Sequence, residues 1–197
     1  MTSEPVGTDV LGTTPSQTVG PYLSLGLIWP DGAYAVPAGT LDAFWVRGHV
    51  LDGAGEPVPD ALVETWQCDP AGRFDHPDAV PRRDESAVPQ GFRGFARSAT
   101  DADGRWAVLT VRPGRLPDDR GGTQAPHLDV SVFARGLLDR VVTRIYLPDE
   151  QAANDADHLL RAVAADRRPT LVASAGPDGL VFDIHLRGDH ETVYFDL

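Results

Sequence analysis

An all-β fold, a β-sandwich of mostly antiparallel strands with long loops and one short helix, is what this sequence predicts. Three observations carry that expectation. Glycine (20) and proline (17) punctuate the chain at short intervals. Between them lie runs that alternate in polarity or are rich in Val, Phe, Trp and Thr. The length, 197 residues with 42% hydrophobic and 23% charged side chains, suits one globular domain with its own core.

Taken in order, residues 1–13 are small and polar and read as a mobile N-terminal arm, leaving residues 14–197 as a single β-sandwich domain. The strands are expected at Phe44–Leu51, Ala61–Gln67, Gly94–Thr100, Arg105–Val111, His127–Ala134, Arg140–Leu147 and Leu180–Arg187, with turn residues between them. In the last of these, Leu180, Phe182, Ile184 and Leu186 share one face and Val181, Asp183, His185 and Arg187 the other, the period of a half-buried strand. The helix falls at about Asn154–Ala165, capped by Asn154. Two segments, Pro77–Pro89 and Pro113–Pro126, are too long and polar for hairpin turns, and ordered loops of that kind are where sites gather.

Composition excludes several functions. The chain has no lysine, so its 17 basic residues are all arginine, which removes Schiff-base chemistry and the Gly-Lys phosphate loop. A formal charge of −12 opposes nucleic acid and anionic membrane surfaces. The N-terminus carries neither a basic nor an apolar leader, and no apolar run nears the roughly 20 residues of a membrane span; a cytoplasmic location is expected. The single Cys68 reads as a small half-buried thiol at a strand end.

Among chemical motifs, there is no Gly-x-Ser-x-Gly elbow and no His-Glu-x-x-His. Asp101-Ala-Asp-Gly104 has its glycine in the wrong place for a calcium loop and reads as a turn. His127-Leu-Asp129 is different, because residues two apart on a strand point the same way and can share an ion. With His185 on another strand they spell the two-His, one-carboxylate triad of Fe(II) oxygenases, although position 195, where the 2-oxoglutarate group places an arginine, is Phe. The competing reading is of unrelated polar residues on a sheet face.

Longer segments point to a family. Thr14-Pro-Ser-Gln-Thr-Val-Gly-Pro-Tyr22 resembles the N-terminal signature of intradiol ring-cleavage dioxygenases. Val46-Arg-Gly-His-Val-Leu-Asp-Gly and its continuation to Phe74 resemble their strand-turn-strand core, and Thr100–Trp106, Val111–Gly114 and Glu191–Asp196 extend the match. The resemblance implies a ferric ion held by two tyrosinates and two histidines, which binds a catechol through both hydroxyls and exposes its ring to dioxygen. Catalytic members read His-x-His where this chain has His127 and Asp129. The tyrosine after the Pro-Gly turn is matched by Leu116, and the one in the loop after Gly72-Arg-Phe is missing. The four tyrosines stand at 22, 34, 146 and 194, so residues 35–145 hold none.

The resemblance therefore implies a non-catalytic α-type subunit with no catalytic residue and no metal of its own, in which Leu116, His127 and Asp129 are vestigial. Fe(III) would sit in a homologous partner β subunit of a hetero-oligomer. The small-molecule catechol would lie in a pocket shared at the subunit boundary, to which this chain lends Thr18, Gly20, Pro21, Tyr22 and Arg135. Neither nucleic acid nor membrane is a partner. Tyr22 is equally placed for core packing and Arg135 for a surface ion pair; Trp29 and Tyr34 stand as interface anchors or ordinary local packing. Two alternatives remain at this stage: an Fe(II) facial-triad oxygenase, and a stand-alone β-sandwich binding module.

Overall fold

The structure, a computed structural model, describes residues 15–20, 22–76 and 89–196. The expected arm, Pro21 and most of the Pro77–Pro89 loop lie outside the described residues. In chain order the elements are α1 (Tyr22–Gly26), β1 (Phe44–Leu51), β2 (Leu62–Trp66), β3 (Phe95–Ala99), β4 (Arg105–Thr110), β5 (Leu116–Pro117), β6 (Thr123–Gln124), β7 (His127–Phe133), β8 (Val141–Tyr146), α2 (Gln151–Ala156), α3 (His158–Ala162), a 3₁₀ turn (Arg168–Leu171), β9 (Ser174–Gly176), β10 (Gly179–Val181) and β11 (Ile184–His185). The first six expected strands are present with ends shifted by at most one residue.

One sheet is built on β1, which pairs antiparallel with β4 on one side and parallel with β10 and β11 on the other, β9 lying beyond β10. The second runs β3-β2-β7-β8, antiparallel throughout. Both sheets contribute to one core: Val46, Val50, Trp106 and Ile184 from the first pack with Val63, Ala96, Leu128, Val130 and Ile145 from the second. A smaller cluster, Ala125, Tyr146, Ala153, Leu160 and Leu171, seats the helices against the end of β8.

One turn recurs four times among the described residues. Asp52, Asp69, Asp101 and Asp118 each accept, on Oδ1, the backbone N–H groups two and four residues ahead. The residue three ahead is always a glycine with φ between 73° and 83° (Gly55, Gly72, Gly104, Gly121), a left-handed conformation that a Cβ penalises. The expected turn at Asp101 is one of these, and it carries the chain from β3 across the sandwich to β4.

The structure corrects the sequence reading in three places. The strand expected over Leu180–Arg187 is split into β10 and β11, although its alternation holds: Phe182 and Ile184 are buried while Asp183 is exposed. At the break the Asp183 carboxylate accepts the His49 N–H (2.8 Å) and contacts its Nδ1 (3.0 Å), replacing a ladder bond. The single helix becomes α2 and α3, with α1 in addition. Asn154 is not a cap but lies buried inside α2, donating Nδ2 to Leu147 O at 2.9 Å. Asp157, extended at φ −65° and ψ 128°, interrupts the helix and caps α3 instead. Finally, the Pro113–Pro126 segment does contain a hairpin, of only two residue pairs, Leu116↔Gln124 and Pro117↔Thr123.

Candidate functional site

β7 places His127 and Asp129 on one side of the sheet, with His127 Nε2 3.7 Å from Asp129 Oδ1. Directly across the ladder, Asp129 faces Arg144 of β8, whose Nε donates to Asp129 Oδ1 at 2.8 Å. Arg144 Nη1 donates to Gln124 Oε1, also at 2.8 Å, and Gln124 is the residue paired with Leu116 in the small hairpin. His127 and Asp129 thus stand side by side, with the Arg144 guanidinium on Asp129, and Leu116 joins them only through its ladder partner Gln124.

A second layer fixes this group. The buried Asp157 carboxylate accepts N–H bonds from Leu159, Leu160 and Ala125 and the hydroxyl proton of Tyr146. Burial, only partly opposed by the nearby Arg144 charge, holds the Tyr146 phenol above its usual range. His127 Nδ1 lies 2.7 Å from Ala125 O; a carbonyl only accepts, so Nδ1 carries the proton and Nε2 presents its lone pair. Burial first, and the Arg144 charge next, hold the imidazole below its ordinary pKa. It is a neutral histidine beside an arginine.

A tyrosinate-bound ferric ion does not fit here. Leu116 offers hydrocarbon, and Asp129 is already bonded to Arg144. Among the described residues no three His, Cys, Asp or Glu side chains gather where they would hold a metal. The facial triad is not assembled either, since His185 belongs to the other sheet, its ring 5.9 Å from that of His190. Cys68 is fully rather than half buried, and burial pushes its thiol up to about 11, which leaves it inert.

The residues expected to serve a shared pocket lie elsewhere. Thr18 Oγ1 accepts the Gly136 N–H at 2.9 Å, which draws the N-terminal segment against the turn after β7. There Gln17 and Val19 join Phe133, Leu137 and Leu138 around a groove of about 480 Å³. Arg135, in the same turn, is 71% exposed and ion-paired with Asp60. Gly20 is exposed and Tyr22, at 79%, is not core packing in this chain; Pro21 lies outside the described residues. Tyr22, Leu25, Leu27 and Ile28 form an exposed apolar run. Trp29 and Tyr34 pack locally, Trp29 stacking on Phe95 under Arg97 and Tyr34 edge-on to Trp45. A larger cleft of about 1170 Å³, between Pro37–Asp42 and Pro89–Gly91, is lined by none of the anticipated residues.

Arg144, Gln124, Tyr146 and Asp157 are the residues sequence reasoning missed. A usable signal existed for Arg144: the expected strands over 127–134 and 140–147 form a hairpin whose antiparallel register sets Asp129 opposite Arg144, a cross-strand pair of opposite charge.

A family model described as dioxygenase matches residues 37–188. The chain is 42% identical to the protocatechuate 3,4-dioxygenase alpha chain of Burkholderia cepacia, and 35% to that of Pseudomonas putida. Each match covers 95% of this chain and 98% of the relative. The beta chain of the Burkholderia cepacia enzyme is homologous too, at 34% identity over 75% of this chain and 65% of its own. Among solved structures, a dioxygenase domain from Streptomyces sp. SirexAA-E superposes with a TM-score of 0.58 at 28% identity, covering 90% of this chain and 99% of that one. The family's chemistry uses non-haem Fe(III). Among the described residues no helix is long and apolar enough to cross a membrane. The chain thus belongs to the intradiol dioxygenase family and, over 95% of its length, is a homologue of the protocatechuate 3,4-dioxygenase alpha chains.

Proposed function

We propose that this chain is the non-catalytic α subunit of a cytoplasmic protocatechuate 3,4-dioxygenase. It pairs with a homologous β subunit that bears the ferric ion and opens protocatechuate with O2 to 3-carboxy-cis,cis-muconate. The observation that carries this reading is the salt bridge at the family's ligand positions: a chain homologous to alpha chains over nearly its whole length has Asp129 bonded to Arg144 where catalytic members have a histidine. The role of this chain is then to complete the partner's pocket. Arg135, with its guanidinium largely exposed, grips the substrate carboxylate with two parallel bonds, and the Thr18–Tyr22 segment, tied at Thr18 beside it, forms a wall. The exposed run from Tyr22 to Ile28 supports coverage by a partner, because such apolar surface is uncommon on a free chain.

The test is iron and colour. Purified alone, the chain is expected to be colourless and iron-free and to behave poorly on size exclusion. Co-expressed with its homologous β chain, it is expected in a complex with the visible tyrosinate-to-iron absorption. Stoichiometric iron with that band in the isolated chain, or a stable monodisperse monomer indifferent to the β chain, would overturn the proposal.

A further inference from the structure

The groups around Arg144 share one chemical property: each turns an electron pair inward. Asp129 and Gln124 present oxygens at 2.8 Å, and the neighbouring His127 presents an unprotonated Nε2. A cluster of acceptors without a donor is costly away from water, and a guanidinium, five donors in a fixed fork with no acceptor, is the side chain that satisfies several at once. The geometry also joins elements that hold together poorly alone. A hairpin of two residue pairs, β5–β6, is too short to persist in water, and the Arg144–Gln124 bond fastens it to β8.

We infer that the Arg144 guanidinium is the resident cation of this centre, tethered to β8, joining Asp129, which stands where the family has an iron ligand, to Gln124 of the small hairpin, and so denying Asp129 to a free metal. An ordinary cross-strand ion pair would stabilise the sheet equally well without creating a position that a free cation can fill. The inference rests on family membership and on this chain's own side chains, not on assembly with a β subunit, so its failure would leave the subunit assignment standing.

The experiment uses the co-expressed complex and reads thermal unfolding of Arg144→Ala. The variant is expected to melt about 4–8 °C below the parent, the scale for removing one partner of a half-buried pair in a chain this size. Millimolar methylguanidinium, and separately micromolar zinc, are expected to raise the Tm of Arg144→Ala by several degrees. Neither should raise that of the parent or of Arg144→Ala/Asp129→Ala. An unchanged Tm in Arg144→Ala, or equal responses in the variant and the parent, would overturn the inference. If Arg144→Ala gives no soluble complex, Arg144→Lys replaces it: the ammonium keeps the charge but not the fork, so a Tm below the parent supports the bridging role and a parental Tm refutes it.

Discussion

Arg144 and Arg135 lie toward opposite ends of the β7–β8 hairpin, separated by the six residues from Asp129 to Arg135, or roughly 20 Å of extended strand. Arg144 is 17% exposed and spends its donors on Asp129 and Gln124. Arg135 is 71% exposed, with a single carboxylate beside it. The same functional group is internal cement at one end and an accessible charge at the other. The two guanidiniums therefore serve different ends: the buried one satisfies groups of this chain, whereas the exposed one is within reach of a neighbour.

The strongest way to break that contrast is to remove the hub beneath the closed end. Asp157→Ala strips acceptors from Ala125, Leu159, Leu160 and Tyr146 together. A loss of about 3–5 kcal/mol in urea unfolding is expected, since buried donors are left without partners. A loss below about 1 kcal/mol would mean that the second layer is ornamental. At the open end the pattern should invert. Arg135→Ala in the assembled complex is expected to cost under ~0.5 kcal/mol of stability, as for an exposed pair, yet about one to two decades in kcat/KM for protocatechuate. The loss should fall mainly on KM, with unsubstituted catechol much less affected. Equal losses on both substrates would make Arg135 an interface residue only.

A smaller effect separates the two ends by pH. The folded His127 has its pKa depressed by burial and by Arg144, whereas the unfolded chain titrates near the ordinary histidine value of about 6.5. Above that value both states are neutral and His127 contributes no slope. As pH falls below it, the unfolded state takes up a proton that the folded state refuses until its own lower pKa. Stability therefore falls with pH in that window, by at most about 1.4 kcal/mol per unit. Unfolding at pH 7 and pH 5 should show a shallower drop for His127→Asn than for the parent. Identical slopes would mean that His127 titrates alike in both states.

What the sequence disclosed follows the same division. Strand positions were legible because alternation and glycine and proline punctuation are local properties, and the missing tyrosines in residues 35–145 needed only counting. The break between β10 and β11 was not, since a side-chain carboxylate from Asp183 takes the place of a backbone acceptor without disturbing the apolar period. The helix went astray for a related reason: Asp157 is wanted by Ala125 and Tyr146 from another part of the chain, and that long-range demand splits a locally plausible helix. For Arg144 the cross-strand pairing with Asp129 was open to reading from the expected hairpin, but its second bond, to Gln124 of the short β5–β6 hairpin, was not. For Thr18 the family resemblance supplied a position, and the structure supplied a partner.

That partner sets the smallest expected effect. Residues 15–20 form neither helix nor strand, and the Thr18 hydroxyl receives the Gly136 N–H from the turn that carries Arg135. A single neutral hydrogen bond on an exposed segment is worth about 0.5–1.5 kcal/mol, so Thr18→Val in the complex should lower kcat/KM for protocatechuate by about two- to tenfold, with Thr18→Ser restoring it. If Thr18 works by holding the Arg135 turn in place, Thr18→Val should add little once Arg135 is already Ala, because the group it positions is gone. Full additivity in that double-mutant cycle would show instead that the hydroxyl acts independently of Arg135, and the N-terminal segment would have to be assigned its own contact with the substrate.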